Sequence, residues 1–158
     1  MIAVAIVEDI KEIRDGLQLL IDSNNDFLCH EVYASAEEAL KGLPQSLPDV
    51  VLMDIHLPGM NGIDCLRQIK HQCPGTQFIM STIYDDDETI FESLKAGATG
   101  YLLKKTEPSK ILEAIKEVHA GGSPMSSQIA RKVIAVFQPK PGIDDVEILT
   151  PKEKEILK

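Results

Sequence analysis

Asp54 ends the short apolar run Val50-Val51-Leu52-Met53 and is followed by Ile55-His56-Leu57-Pro58-Gly59. A strand that stops on one carboxylate before a Pro-Gly turn presents it at the strand's carboxyl end, the edge of an open α/β sheet where ligands bind. Three other strand-like stretches also end on reactive side chains: Ile2 to Val7 in Glu8-Asp9, Gln77 to Ser81 in Thr82, and Gly100 to Leu103 in Lys104. In a parallel sheet these ends share one edge. Carboxylates held that close repel by roughly 4 kcal/mol per pair at about 4 Å and an effective dielectric near 20. A lysine offsets one charge. A hard divalent cation with oxygen ligands offsets the rest, which favours Mg2+ where phosphate oxygens also bind. With the ion in place, Asp54 can act as a nucleophile toward phosphorus and form an aspartyl phosphate. Thr82 would hold the phosphoryl oxygens as a hydroxyl donor and Lys104 as a point charge. Each residue alone has an ordinary alternative: Asp54 opening a turn, Glu8-Asp9 capping a helix, Thr82 filling a strand, Lys104 facing solvent. Their joint placement at four strand ends is what favours a site.

The elements that must position these ends are legible in hydrophobic spacing. Ile2 to Val7 is nearly continuous and apolar, the pattern of a strand covered on both faces. Ile10, Ile13, Leu17, Leu20 and Ile21 recur at steps of three and four, so a first amphipathic helix is expected to about Ser23. Asp26 to Tyr33 contains a second, less apolar strand suited to a sheet edge. Ser35 and Glu38 have capping-box spacing before Ala39, Leu40 and Leu43, and the short second helix is expected to stop before Pro44. Ile63, Leu66, Ile69 and Cys73 mark a third helix closed by Pro74-Gly75. Asp85-Asp86-Asp87-Glu88 suits the positive amino end of a fourth helix carrying Ile90, Phe91 and Leu94 and ending at Gly97. This cluster reads as a solvated helix end rather than a second metal site. Pro108 opens a fifth helix with Ile111, Leu112, Ile115 and Val118. Five strands alternating with five helices argue for an α/β fold with a doubly wound five-stranded parallel sheet, because each crossover carries a helix across one face.

Composition shifts at Ala120-Gly121-Gly122-Ser123-Pro124, and residues 121–146 read as a helical linker with an amphipathic helix near 126–137. Thr150-Pro151-Lys152-Glu153 combines an N-cap, a proline at the first helical position and a capping-box glutamate, so another helix is expected to begin there. Residues 147–158 then look like the first turns of a further domain. The net charge of −9 argues against a bulk electrostatic grip on nucleic acid or an anionic membrane. Cys29, Cys65 and Cys73 lack metal-ligand spacing and read as reduced thiols. With no basic amino-terminal region and no apolar run near the roughly 18 residues of a membrane span, a cytoplasmic location without membrane attachment is expected.

These residues together resemble the receiver domain of a bacterial two-component response regulator. The likeness rests on Glu8-Asp9, on Met53-Asp54-Ile55-His56-Leu57-Pro58-Gly59-Met60-Asn61-Gly62, on Thr82, and on Gly100-Tyr101-Leu102-Leu103-Lys104, and it covers residues 1–120. The resemblance implies a flavodoxin-like sheet of order 2-1-3-4-5, phosphotransfer to Asp54 from a sensor histidine kinase, and Mg2+ held by Glu8, Asp9, Asp54 and the backbone carbonyl of His56. It implies further that Thr82 moves toward the phosphoryl group while Tyr101 turns inward as a switch, that His56 and Tyr84 tune phosphoryl lifetime, and that the phosphorylated chain forms a homodimer. Leu149 to Leu157 is similar to the opening of the LuxR-type helix-turn-helix of the NarL/FixJ subfamily. Only its first helix would fall within the 158 residues, so specific DNA binding and transcription control would need the remainder of that module. By this reading the protein is no enzyme in the ordinary sense, only an acceptor that assists its own phosphorylation and dephosphorylation. The competing class is a Mg2+-dependent phosphohydrolase with an aspartyl-phosphate intermediate. Against it, His56 stands two residues after Asp54 where a second acid would serve, and no insertion is large enough to enclose a substrate.

Overall fold

Runs rich in valine, isoleucine and methionine form five strands: β1 (Ile2–Val7), β2 (Phe27–Tyr33), β3 (Val50–Asp54), β4 (Gln77–Thr82) and β5 (Gly100–Leu103). The computed structural model describes residues 1–137; the expected helix start at Thr150 and the whole of 147–158 lie outside the described residues. The strands order as β2-β1-β3-β4-β5 and every neighbouring pair is parallel. Parallel neighbours need crossovers, and these are α1 (Lys11–Asp22), α2 (Ala36–Ser46), α3 (Gly62–Ile69) and α4 (Asp87–Ala96), with α5 (Pro108–His119) and α6 (Ser127–Phe137) following the last strand.

Side chains alternate across each strand, so both faces of the sheet must be apolar and each must be covered. Ala5, Val7, Val51, Met53, Phe78, Met80, Tyr101 and Leu103 pack in one cluster with α2, α3, α4 and the first turn of α6. Val4, Ile6, Val50, Leu52, Ile79 and Leu102 pack on the other face with Ile21, Ala114, Ile115 and Val118 of α1 and α5. The result is a three-layer sandwich with the sheet in the middle.

The expected caps form. Ser35 Oγ accepts the Glu38 N–H at 3.1 Å, and Glu38 reaches back to the Ala34 N–H at 3.3 Å. Asp86 caps α4 by accepting the Thr89 N–H, and Gly97 closes it with a φ of 115° that suits glycine alone. The third helix tightens into a 3-10 turn at Lys70–Gln72 before Pro74. Two expectations need correction. The second helix does not stop before Pro44 but runs to Ser46, because its last turn is closed by the Leu47 N–H on the Leu43 carbonyl, a bond that does not use the proline nitrogen. Ile10 and Ile13 do not join the buried stripe of α1; they are 45% and 38% exposed, and the apolar contacts of the helix with the core are made by Leu17 and Ile21. All three cysteines are free and buried, and burial pushes the Cys29 and Cys65 thiols up to about 12, so they remain protonated.

Candidate functional site

The sheet register decides which side chains meet. Val7 lies opposite Met53, so Glu8 and Asp54 emerge side by side from adjacent strands. Asp54 lies opposite Ser81 and Thr82 opposite Leu103, which puts Thr82 and Lys104 at the same end of the next two strands. The Lys104 N–H donates to the Thr82 carbonyl at 2.8 Å, so this end of the sheet stays paired to its last residue.

Lys104 turns into the edge and donates to Glu8 Oε1 at 2.8 Å and to Asp54 Oδ2 at 3.1 Å. Glu8 is 2% and Asp54 4% exposed. The remaining carboxylate oxygens are also occupied: Glu8 Oε2 accepts the Ile10 N–H at 3.2 Å, and Asp54 Oδ1 accepts the His56 N–H at 3.1 Å. Glu8, Asp9 and Asp54 each offer one oxygen, and the three lie within 4.8 Å of one another. Burial pushes the Glu8 carboxyl above its ordinary value, against the lowering effect of Lys104 and the Ile10 amide. Burial works against the charge on Lys104, but its hydrogen bonds to Glu8 and Asp54 outweigh it and hold the ammonium above its ordinary value. The two shifts thus have opposite causes: withdrawal from water favours the protonated Glu8, whereas the adjoining carboxylates favour the protonated Lys104 against that same withdrawal.

The floor of the site is apolar. A cavity of about 140 Å³ between the sheet and α1 and α5 is lined by Ile6, Ile13, Leu17, Leu52 and Ile111 beneath Glu8, Asp54 and Lys104. The walls are backbone. Gly62, the first residue of α3, sits so close to β3 that a Cβ there would overlap the Asp54 carbonyl oxygen, and its N–H donates to the Ile55 carbonyl at 2.8 Å. The turn between is held by Glu37, which accepts the Met60 N–H at 3.2 Å.

Thr82 is fully buried, and its hydroxyl accepts the Tyr84 N–H at 3.1 Å. Tyr101 is fully buried as well, with its hydroxyl donating to the Tyr84 carbonyl at 3.1 Å. Its ring is therefore already inside with Thr82 buried beside the same Tyr84 backbone, whereas the family resemblance implied that it turns inward on phosphorylation. Tyr84 itself is 48% exposed and meets the exposed His56 ring edge to face at 4.4 Å between centroids. The structure thus brings Glu8, Asp9, Asp54 and Lys104 together, and joins Thr82, Tyr84, Tyr101 and His56 in a second, adjoining set.

Arg14, the backbone of Tyr84 and the stretch Pro124-Met125 play parts that the sequence did not suggest. Arg14, one turn into α1, donates to the Glu8 carbonyl at 2.9 Å and the Asp9 carbonyl at 3.3 Å, fixing the acidic loop from behind. A basic residue among the polar positions of an amphipathic helix carries no signal of that role. Tyr84 acts through its backbone, which side-chain pattern does not report. The stretch Pro124-Met125 adds a parallel bridge to β5, the Tyr101 N–H donating to the Pro124 carbonyl at 2.9 Å.

Comparison with known proteins places the chain in one family. Residues 4–116 match the family model described as the response regulator receiver domain. The chain is 31% identical to the uncharacterized transcriptional regulatory protein YxjL of Bacillus subtilis, over 99% of this chain and 73% of that protein. It is 30% identical to the nitrate/nitrite response regulator protein NarL of Escherichia coli, over 98% of this chain and 73% of that one. Among solved structures, a LuxR-family two-component response regulator from Aurantimonas superposes with a TM-score of 0.81 at 28% identity, covering 87% of this chain and 98% of that one.

Proposed function

Because the chain belongs to the response regulator receiver domain family, we propose that it is a phosphorylation-controlled switch in which Asp54 takes a phosphoryl group from the histidine of a sensor kinase. An Asp54 carboxylate oxygen attacks phosphorus; the new O–P bond forms as the N–P bond to the kinase imidazole breaks, and the nitrogen keeps the bonding pair. The reverse chemistry resets the switch. A water oxygen bonds to phosphorus, the Asp54 O–P bond breaks, and inorganic phosphate leaves with the carboxylate restored.

The residues at the edge fit Mg2+. Their donors are all hard oxygens, three carboxylates within 4.8 Å of one another, and the surplus negative charge they hold is only partly offset by Lys104. Glu8, Asp9, Asp54 and the His56 carbonyl would hold the ion, which when bound supplies charge to neutralise the phosphoryl oxygens. Lys104, already bonded to Asp54 Oδ2, would follow the phosphoryl group as its point-charge partner. Thr82 would donate its hydroxyl to a phosphoryl oxygen while Tyr101 reports the change to the β5 edge. His56 and Tyr84, whose exposed rings meet 4.4 Å apart between centroids, would set how easily water reaches phosphorus.

Residues 1–120 form the receiver in this reading, 121–146 the linker, and 147–158 the opening of a LuxR-type helix-turn-helix. Control of transcription would come through DNA binding by that module, with phosphorylation favouring a homodimer. The relatives named as transcriptional regulators support a switch over a turnover enzyme. A location in the cytoplasm follows from the same role; among the described residues no helix is long and apolar enough to cross a membrane.

The observation that carries the proposal is the Lys104 ammonium bridging two buried carboxylates from β1 and β3. Incubation with acetyl phosphate and Mg2+, read by intact mass, tests it. One phosphoryl group per chain is the expected result. No gain in mass would refute the proposal, and sustained release of many phosphates per chain would indicate a hydrolase instead.

A further inference from the structure

Three consecutive carbonyls beyond the end of β1 are held by one residue. Arg14 Nη1 donates to the Glu8 carbonyl at 2.9 Å and to the Asp9 carbonyl at 3.3 Å, and the Arg14 backbone N–H donates to the Ile10 carbonyl at 2.9 Å. Ile10, the residue before α1, has no side chain that can cap the helix, so the loop lacks the anchor that serine or aspartate would give it there. The half-buried guanidinium spends these bonds on backbone oxygens rather than on a carboxylate. The Glu8 and Asp54 side chains are fixed by Lys104 and by the amides of Ile10 and His56. The half-buried Asp9 carboxylate takes part in none of those bonds, yet it lies within 4.8 Å of the other two. Its place follows from its backbone, whose carbonyl Arg14 holds.

We propose that Arg14 is the positioning residue that makes this edge selective for Mg2+ over Ca2+, by fixing the Glu8-Asp9 backbone so that the Asp9 carboxylate meets the ion without rearrangement. The inference rests on the proposed Mg2+ site and names the group that tunes it. Mg2+ demands near-octahedral oxygens at about 2.0–2.1 Å, whereas Ca2+ takes roughly six to eight oxygens at about 2.3–2.6 Å in a looser shell. A loop free to drift therefore penalises Mg2+ far more than Ca2+. Charge and position pull in opposite directions here. A guanidinium beside a cation site repels a divalent ion, so by charge alone its removal would tighten the binding of both ions. By position its removal weakens Mg2+ binding, and the sign of the change separates the two.

Calorimetric titration of the 158-residue chain with MgCl2 and, separately, with CaCl2 tests this in the parent, Arg14→Met and Arg14→Lys. Arg14→Met should bind Mg2+ about tenfold more weakly or worse, the scale of losing a group that orients a metal ligand, and Ca2+ less than roughly threefold more weakly. Arg14→Lys keeps the charge and a donor without the planar fork, and its Mg2+ affinity should fall between those of the parent and Arg14→Met. The ratio of the two affinities within one folded protein is not moved by lost stability, and thermal unfolding in EDTA shows which variants are folded at the titration temperature. If Arg14→Met is unfolded, Arg14→Lys carries the comparison, with a Mg2+ loss about threefold larger than its Ca2+ loss. Unchanged or tighter Mg2+ binding in the folded variants, or equal losses for both ions, would overturn the role of Arg14 and leave the phosphotransfer standing. A parent chain that binds no Mg2+ would overturn both.

Discussion

Replacing Lys104 with methionine keeps the aliphatic stem and removes the ammonium that joins Glu8 and Asp54 at 2.8 and 3.1 Å. Both carboxylates are nearly sealed from water, so the variant must hold two buried negative charges with one fewer cation or protonate one of them. Protonation sets the ceiling on the loss. Glu8 is the group already pushed above 4.5 by burial, and placing a proton on it at pH 7.5 costs about 4 kcal/mol at roughly 1.36 kcal/mol per unit. That matches the ~3–5 kcal/mol typical of stripping one partner from a buried ion pair. At pH 5.5 the same ceiling falls to about 1.4 kcal/mol. A raised folded-state value means that the stability Glu8 contributes is complete below 4.5 and is lost as pH climbs through the folded value; removing Lys104 extends that loss to higher pH. Urea denaturation of the parent and Lys104→Met proteins in EDTA should therefore give a difference of about 3 kcal/mol at pH 7.5 and about 1 kcal/mol at pH 5.5. Excess Mg2+ should recover most of it, since the divalent charge replaces the ammonium and binds the folded state alone. A difference below about 0.5 kcal/mol at both pH values, the scale of an ordinary surface substitution, would refute the reasoning.

Mg2+ binding should weaken as pH falls through the raised Glu8 value and should release protons there, because the ligand must be the carboxylate; calorimetry in two buffers of different ionisation heat checks this, and pH-independent affinity between pH 5 and 7 would contradict it. Gly62→Ala drives a methyl group into the Asp54 carbonyl and should cost about 3 kcal/mol, as a small-to-large change in a packed interior does. Gly16→Ala, in the interior of α1 with nothing near its missing Cβ, should instead stabilise by about 0.5–1 kcal/mol; thermal unfolding of the two variants reads both signs. Thr82→Val leaves the part-buried Tyr84 N–H without its acceptor and should cost about 1 kcal/mol while changing Mg2+ affinity less than twofold, so a large loss of metal binding would place Thr82 in the wrong set.

The strand ends were readable because a parallel strand buried on both faces is a short apolar run, and the first residue that breaks the run marks the edge. Glu8, Asp54 and Lys104 each break one, whereas the run that delivers Thr82 is already broken by Ser81. The order β2-β1-β3-β4-β5 was available only through family likeness, since periodicity places a strand in a layer without choosing its neighbour. Pro44 misled because its effect is exerted on the bond it would donate and on the residue before it, while the turn after it can still close. Phe91 occupies an apolar position of α4 yet is only half-buried, the core place one residue earlier being taken by Ile90. The seat of α6 was partly legible: Ile129 and Val133 required an apolar partner, but nothing in the pattern said that the partner was α4. Contacts made by backbone atoms, such as those of Tyr84 and Pro124, leave no mark on composition at all.

The central claim is that the carboxylate of Asp54, and no other group, is the phosphoryl acceptor, which identification of the modified residue tests most directly. After treatment with acetyl phosphate and Mg2+, borohydride reduction of the acyl phosphate followed by peptide mass spectrometry should find homoserine at position 54 in the parent chain and nothing in Asp54→Asn or in EDTA. Reduction products at Glu8 or Asp9 with Asp54 intact, or label that persists in Asp54→Asn, would contradict the account.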